Sequence, residues 1–176
     1  MNKQSSPITR FWHEFRENKV AVVALLIVVV LMLLALFASL VSPQNPYDLA
    51  NLSLMDSRRP PGFVGSGGYT HLLGTDPQGR DLLSAIFYGL RISIQIGLAA
   101  GFVSLSIGAA LGILAAYKGG RIESLIMRLV DLQLSFPAIL LALVIVALLG
   151  QGKAQLISAL VAAQYAYFAR TAYGAA

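Results

Sequence analysis

Residues 20–41 read VAVVALLIVVVLMLLALFASLV, twenty-two successive positions without a charge, closed by Ser42-Pro43. At about 1.5 Å per residue, a helix of that length covers the ~30 Å hydrocarbon layer of a bilayer. A cleaved signal peptide would also be preceded by basic residues, and Lys3, Arg10, Arg16 and Lys19 stand ahead of this run. Signal-peptide apolar regions are normally about 7–15 residues long and end at a small-residue cleavage site. This run is longer and has no such site, so it reads as a retained membrane anchor.

Working outward from it, three more apolar runs follow: Ile92 to Tyr117, Leu132 to Gly152 and Ala154 to Ala169. The last falls short of the usual ~17-residue minimum, and Arg170 extends it if its side chain snorkels. The fold expected is all-α, a polytopic membrane helix bundle with about four transmembrane helices. Composition agrees: 57% of residues are hydrophobic and 12% charged, against about 25% charged in a soluble domain. Too little polar sequence remains to cover a soluble core, and the hydrophobicity excludes disorder. The net charge of +5 comes from dispersed residues flanking apolar runs, which argues against nucleic acid as a partner. No cysteine is present, which removes disulfides, thiol catalysis and Cys-based zinc sites.

Basic residues set the expected orientation. Four lie in the 19-residue tail and three in the short segment from Lys118 to Asp131, whereas those between Ser42 and Arg91 are diluted and matched by Asp48, Asp56, Asp76 and Asp81. The chain therefore divides into a cytoplasmic tail (1–19), a first transmembrane helix (20–41), an external loop segment (42–91) and a membrane core of helices two to four (92–176). In the tail, Phe11, Trp12 and Phe15 share one helical face with Arg10, Arg16 and Lys19 around them, a pattern suited to the headgroup zone. The outer segment is broken by Pro43, Pro46, Pro60, Pro61, Gly62, Gly65, Gly67, Gly68 and Pro77, so short elements in a loop are expected.

The second run carries Gly97, Gly101, Ser104, Gly108 and Gly112. At about 100° per residue these fall within roughly 80° of arc, and small residues on one face let helix backbones approach closely in lipid. A tight helix contact is expected there. Pro137, one turn inside the third run, should kink that helix or mark where its regular part starts. Arg128 and Asp131, three residues apart, either pair with each other or remain solvated.

No catalytic constellation appears. His71, Asp76 and Asp81 are close in sequence but match no recognised metal-ligand spacing. No charge sits centrally in an apolar run, where a membrane protease, proton pump or ion-coupled carrier would place one. There is no G-x-x-x-x-G-K-[ST] loop, so ATP hydrolysis would have to come from another chain. Neither cofactor nor metal is expected, and an enzyme is disfavoured.

The stretch HLLGTDPQGRDLLS, residues 71–84, closely resembles a signature of the permease subunits of bacterial ABC importers for dipeptides, oligopeptides and nickel. The likeness continues through Gly89 to Ser93, Ala116 to Gly120, Met127 to Asp131 and Phe136-Pro137, and residues 11–19 resemble the lead-in of the family's C-type permease. The resemblance implies a six-helix inner-membrane permease that works with a second homologous permease, two cytoplasmic ATPase subunits and an external solute-binding protein. Gly74, Thr75, Asp76, Gly79, Arg80 and Asp81 form the signature loop. Asp76 before Pro77 should turn, Gly74 and Gly79 should allow tight backbone, Asp81 should cap the helix that follows, and Arg80 should pair with an acid or a partner surface. Family members continue into a cytoplasmic loop with an E-A-A-x-x-x-G type motif that docks on the ATPase. The sequence ends at Ala176, ahead of that motif, and Tyr173 stands where the family often has a second Arg. A truncated permease is therefore expected, with a small structural or regulatory membrane subunit without transport as the alternative.

Overall fold

The computed structural model describes residues 7–48, 50 and 52–176; Lys3, counted in the charge of the tail, lies outside them. The chain divides into two compact units, residues 1–94 and 95–176.

In the first unit, α1 (Pro7–Glu17) is followed by α2 (Lys19–Leu36). Asn18 separates them with an extended backbone, and its Oδ1 accepts hydrogen bonds from the N–H groups of Val20 and Ala21, both at 3.1 Å. Those are orphan donors of the new helix, so one carboxamide ends α1 and caps α2. The expected first span shortens at its far end. It breaks at Phe37, and residues 38–41 form a separate short helix, α3 (Ala38–Val41). On α2 only Ala35 is buried. Its remaining apolar side chains are open on all sides, as a lipid-facing helix requires. After α3 come a 3-10 turn (Leu54–Asp56) and a two-stranded antiparallel hairpin of β1 (Phe63–Val64) and β2 (Thr70–His71), in register Phe63 to His71 and Val64 to Thr70.

The long helix α4 (Leu82–Lys118) has 37 residues, about 55 Å at 1.5 Å per residue. It starts ten residues before the expected second run. The polar residues of 82–91 had placed that stretch in the loop, but they are helix-compatible and follow a cap.

In the second unit, the C-terminal half of α4 joins α5 (Gly120–Ser135), α6 (Ala138–Leu149) and α7 (Lys153–Ala175). The turn between α4 and α5 uses positive φ at Gly119 and Gly120. The expected third span, Leu132 to Gly152, is not one helix. Phe136 is extended (φ −91, ψ 140) because Pro137 disfavours helical geometry in the residue before it, and α5 and α6 meet at 90°. By length and apolarity α2 and α4 can each cross a membrane, and the bent α5–α6 pair makes a third candidate. Of the about four expected, two or three pass on length and apolarity, and α7, which carries more polar residues, does not. Α6 packs chiefly on α7, after a connection through Gly150, Gln151 and Gly152. The core of this unit is Ala115, Met127, Val130, Ala166 and Ala169, with Leu111, Ile126, Leu134, Tyr165 and Tyr173 against it.

Candidate functional site

The densest polar structure in the first unit is the cluster ahead of α4. Asp81 is its centre, with its side chain 1% exposed. Its Oδ2 accepts from the Ser84 N–H at 2.7 Å and from the Ser84 Oγ at 2.7 Å, so it caps α4 as the sequence expected. Its Oδ1 faces His71 Nδ1 at 3.0 Å, and the Asp81 N–H donates to Gln44 Oε1 at 2.7 Å. The segment after α3, strand β2 and the first turn of α4 therefore meet at one residue. A carboxylate suits the position because it accepts several donors at once.

Thr75 and Asp76 join the loop to the chain before it. The Thr75 hydroxyl donates to the Asp56 carbonyl and accepts from the Arg59 N–H at 2.8 Å. The Thr75 N–H donates to the Arg59 carbonyl at 3.1 Å, and the Arg58 N–H to the Asp76 carbonyl at 3.1 Å. Arg58 sits at φ +53, a conformation that costs a non-glycine residue about 1–2 kcal/mol and is held by these flanking bonds. Asp76 forms the expected turn, its carbonyl accepting from Gly79 N–H at 3.1 Å. Its carboxylate receives the Gln78 N–H (2.8 Å), the Arg80 N–H (3.0 Å) and Arg80 Nε (2.7 Å). Arg80 thus pairs with Asp76 within its own loop. Burial pushes the Asp76 carboxyl up, but the hydrogen bonds from Arg80 and Gln78 outweigh it and hold it below the usual aspartate range.

Two glycines are needed for conformation and for space. Gly74 (φ +81) and Gly79 (φ +77) both occupy the left-handed region. A Cβ on Gly74 would strike the Arg59 carbonyl and the Pro60–Pro61 backbone, and one on Gly79 would strike the Ser53 carbonyl.

Sequence reasoning had not singled out Gln44 or Asp56, and had set His71 only beside Asp76 and Asp81 as an unconvincing metal set. In the structure His71 joins Asp81, while Asp76 turns to Arg80. Among the described residues no three acidic or histidine side chains gather as metal ligands. Asp56 takes the Ser66 N–H (2.9 Å) and Ser66 Oγ (2.6 Å), and those bonds hold its carboxyl below the usual range. Phe63 stacks over the imidazole of His71 and Tyr69 meets it edge-on. Burial, with Asp81 and Asp56 nearby, pushes the Tyr69 phenol up.

In the second unit the small-residue stripe divides in two. A Cβ on Gly108 would strike Tyr165, Phe168 and Ala169 of α7, and one on Gly112 would strike Ala169, Ala172 and Tyr173. Ser104 is fully buried. Gly97 and Gly101 have nothing within 4 Å of an added Cβ. Across from the stripe, α7 buries Ala159, Ala163, Ala166 and Ala169, a three-and-four spacing that was readable in the sequence but not singled out. Asp131 does not pair with Arg128. It takes Arg170 Nη1 of α7 at 2.8 Å, while the Tyr173 hydroxyl donates to Glu123 and Gln133 Nε2 donates to the Ala162 carbonyl at 2.8 Å. Three polar contacts therefore tie α5 to α7.

Residues 6–61 match the N-terminal TM domain of oligopeptide transport permease C, and residues 108–176 match the binding-protein-dependent transport system inner membrane component. Two stretches of the chain, in this order, are thus similar to binding-protein-dependent transport permeases. Among curated relatives, the chain is 43% identical over 147 residues to the di/tripeptide transport system permease protein of Pseudomonas aeruginosa, covering 84% of this chain and 48% of that one. It is 39% identical over 145 residues to the dipeptide transport system permease protein of Escherichia coli, covering 82% and 47%. With the glutathione transport system permease protein of Pectobacterium atrosepticum the identity is 36% over 172 residues, covering 96% and 54%. The chain spans about half the length of these relatives. The signature stretch, residues 71–84, lies between the two matched segments, while Gln44 and Asp56, which bond around it, fall inside the first.

Proposed function

We propose that this chain serves as a transmembrane permease subunit of an ABC importer, forming part of the translocation path for small peptides. The observation that carries the reading is the match of two permease segments, in order, to one chain whose relatives are named for dipeptides, di/tripeptides and glutathione. Peptides fit that set better than nickel. A second homologous permease, two cytoplasmic ATPase subunits and an external solute-binding protein complete the machine, and ATP hydrolysis belongs to the partner chains. The site is the bacterial inner membrane, with the N-terminus and the 118–131 segment cytoplasmic because basic residues concentrate there. Residues 42–81 then face outward, and the Asp81 cluster shapes the outer mouth against which the binding protein docks. Its dense hydrogen bonding supports a preformed surface rather than a mobile one.

Two measurements test this. A tagged chain drawn from its native membrane should bring down a second permease and an ATPase, and deletion of its gene should abolish uptake of labelled di- and tripeptides. A chain that purifies without either partner, from cells whose peptide uptake survives the deletion, would refute the proposal.

A further inference from the structure

The outward side of α5 is apolar, basic and polar in successive sectors. Taken at about 100° per residue, Leu132, Leu125, Leu129 and Ile122 fall within roughly 80° of arc, and all four are exposed, by 47–63%. Arg121 and Arg128 follow within about 40° on one side, then Ser124 and Asp131. Met127, Val130 and Leu134 occupy the sector that packs into the core of the unit. The helix thus has a protein side, a water side, an apolar side, and a pair of guanidiniums between water and apolar. Among the described residues neither guanidinium is in an ion pair.

The geometry of the next helix fixes what the apolar side meets. Α6 is twelve apolar residues, none buried, and Ile139, Leu140, Leu143, Val144 and Leu148 are 54–79% exposed. One side of α6 packs on α7, and a helix apolar all round and open on its other sides lies in the hydrocarbon. Α5 leaves it at 90°, so a helix along the membrane normal at α6 puts α5 in the plane of the surface. At that depth an exposed leucine side faces acyl chains and adjacent guanidiniums lie at phosphate level.

We propose that α5 is an in-plane membrane-surface helix. Ile122, Leu125, Leu129 and Leu132 are inserted among acyl chains, and Arg121 and Arg128 bind the phosphates of anionic phospholipids. Lipid is the occupant favoured over a protein partner by the order of the sectors. Arginines lie at the edge of the apolar arc next to the polar side, where the headgroup layer lies between water and hydrocarbon. The unit would be anchored at this surface whatever solute the permease carries.

The test uses the full chain in mixed phosphatidylcholine–phosphatidylglycerol vesicles. Trp12 is the single tryptophan, so a Trp12→Phe background leaves the signal to one probe. Leu129→Trp should be quenched several-fold more strongly by lipid brominated near the headgroup end of its acyl chains than Ser124→Trp. Ser124→Trp should respond instead to aqueous iodide. Both positions are exposed, so neither probe enters the packed core, and Leu125→Trp on the same arc repeats the measurement if one variant fails to fold. The Arg121→Gln/Arg128→Gln pair should lower retention of labelled phosphatidylglycerol over phosphatidylcholine by on the order of tenfold. Equal iodide quenching at 124 and 129 would overturn the proposal. Shielding of the Leu129→Trp probe from both quenchers would assign the face to a protein partner and overturn it too. Unchanged phosphatidylglycerol retention in the double variant would remove the arginines from lipid binding.

Discussion

Replacing Asp81 with alanine should open the loop ahead of α4. The substitution removes the α4 cap, worth about 1 kcal/mol. It also strips partners from the His71 Nδ1 and the Ser84 Oγ, which stand at 3.0 and 2.7 Å from the carboxylate. Each orphaned buried donor costs about 1–3 kcal/mol, so the local loss is roughly 3–7 kcal/mol, large against the effect of most single substitutions. Hydrogen exchange read by mass spectrometry on peptides covering 53–84 reports it directly. Because 1.4 kcal/mol is tenfold in an opening equilibrium, amides of this segment should exchange at least about 100-fold faster, with α6 and α7 unchanged. Asp81→Asn retains an oxygen for Ser84 and should fall between alanine and wild type. Exchange within about threefold of wild type in Asp81→Ala would show that the cluster does not hold the loop, and the refutation would stand whatever the transport phenotype.

Three more predictions use other parts of the molecule. Gly62→Ala and Gly79→Ala both place alanine at positive φ, but Gly62 has open space and Gly79 faces the Ser53 carbonyl. The first should therefore cost about 1 kcal/mol and the second more than twice that in the same exchange assay. Equal costs would discard the steric reading. Gly108→Val should lower the Tm of the detergent-solubilised chain, since a side chain there meets the α7 backbone, while Gly101→Val, where the space is open, should leave it within about 1 °C. A drop at Gly101 would contradict the open space found there. The depressed carboxyl of Asp56 makes the hairpin pH-sensitive with a definite sign. Its stabilisation is complete above the unfolded aspartate value of about 3.9 and is lost as pH falls through the lower folded value. Carbon NMR of the Asp56 carboxyl should give a midpoint below that value, and Ser66→Ala should raise it; no movement in Ser66→Ala would dismiss the Ser66 hydroxyl as a cause.

The first apolar helix, α2, was legible because lipid imposes a length and forbids charge, and both are one-dimensional properties; its break at Phe37 was not. Pro137 marked the break in the third run for a similarly local reason, the clash of its ring with the residue before it. What the sequence did not disclose was the angle of that break, which comes from packing of α5 on α4 and α7. The same limit applies to polar partners. Asp131 has Arg128 three residues away, yet bonds to Arg170 on another helix, because helix spacing proposes neighbours and tertiary contact chooses among them. Asp81 as a cap could be read locally, since Ser84 is three residues on. His71 and Gln44 at the same carboxylate could not, because they arrive from separate turns of the loop. The glycine stripe was visible as a pattern, but only Gly108 and Gly112 meet α7, and nothing periodic distinguishes them from Gly97 and Gly101.

Gln44 follows the first span, and Ser84 belongs to the opening turn of α4; Asp81 binds both. During synthesis, then, the residues between them stay unlocked until the first turn of α4 has been made. Maturation of this loop is timed by the arrival of α4, so a lesion that delays the folding of that helix would leave the loop unfolded and open to proteases.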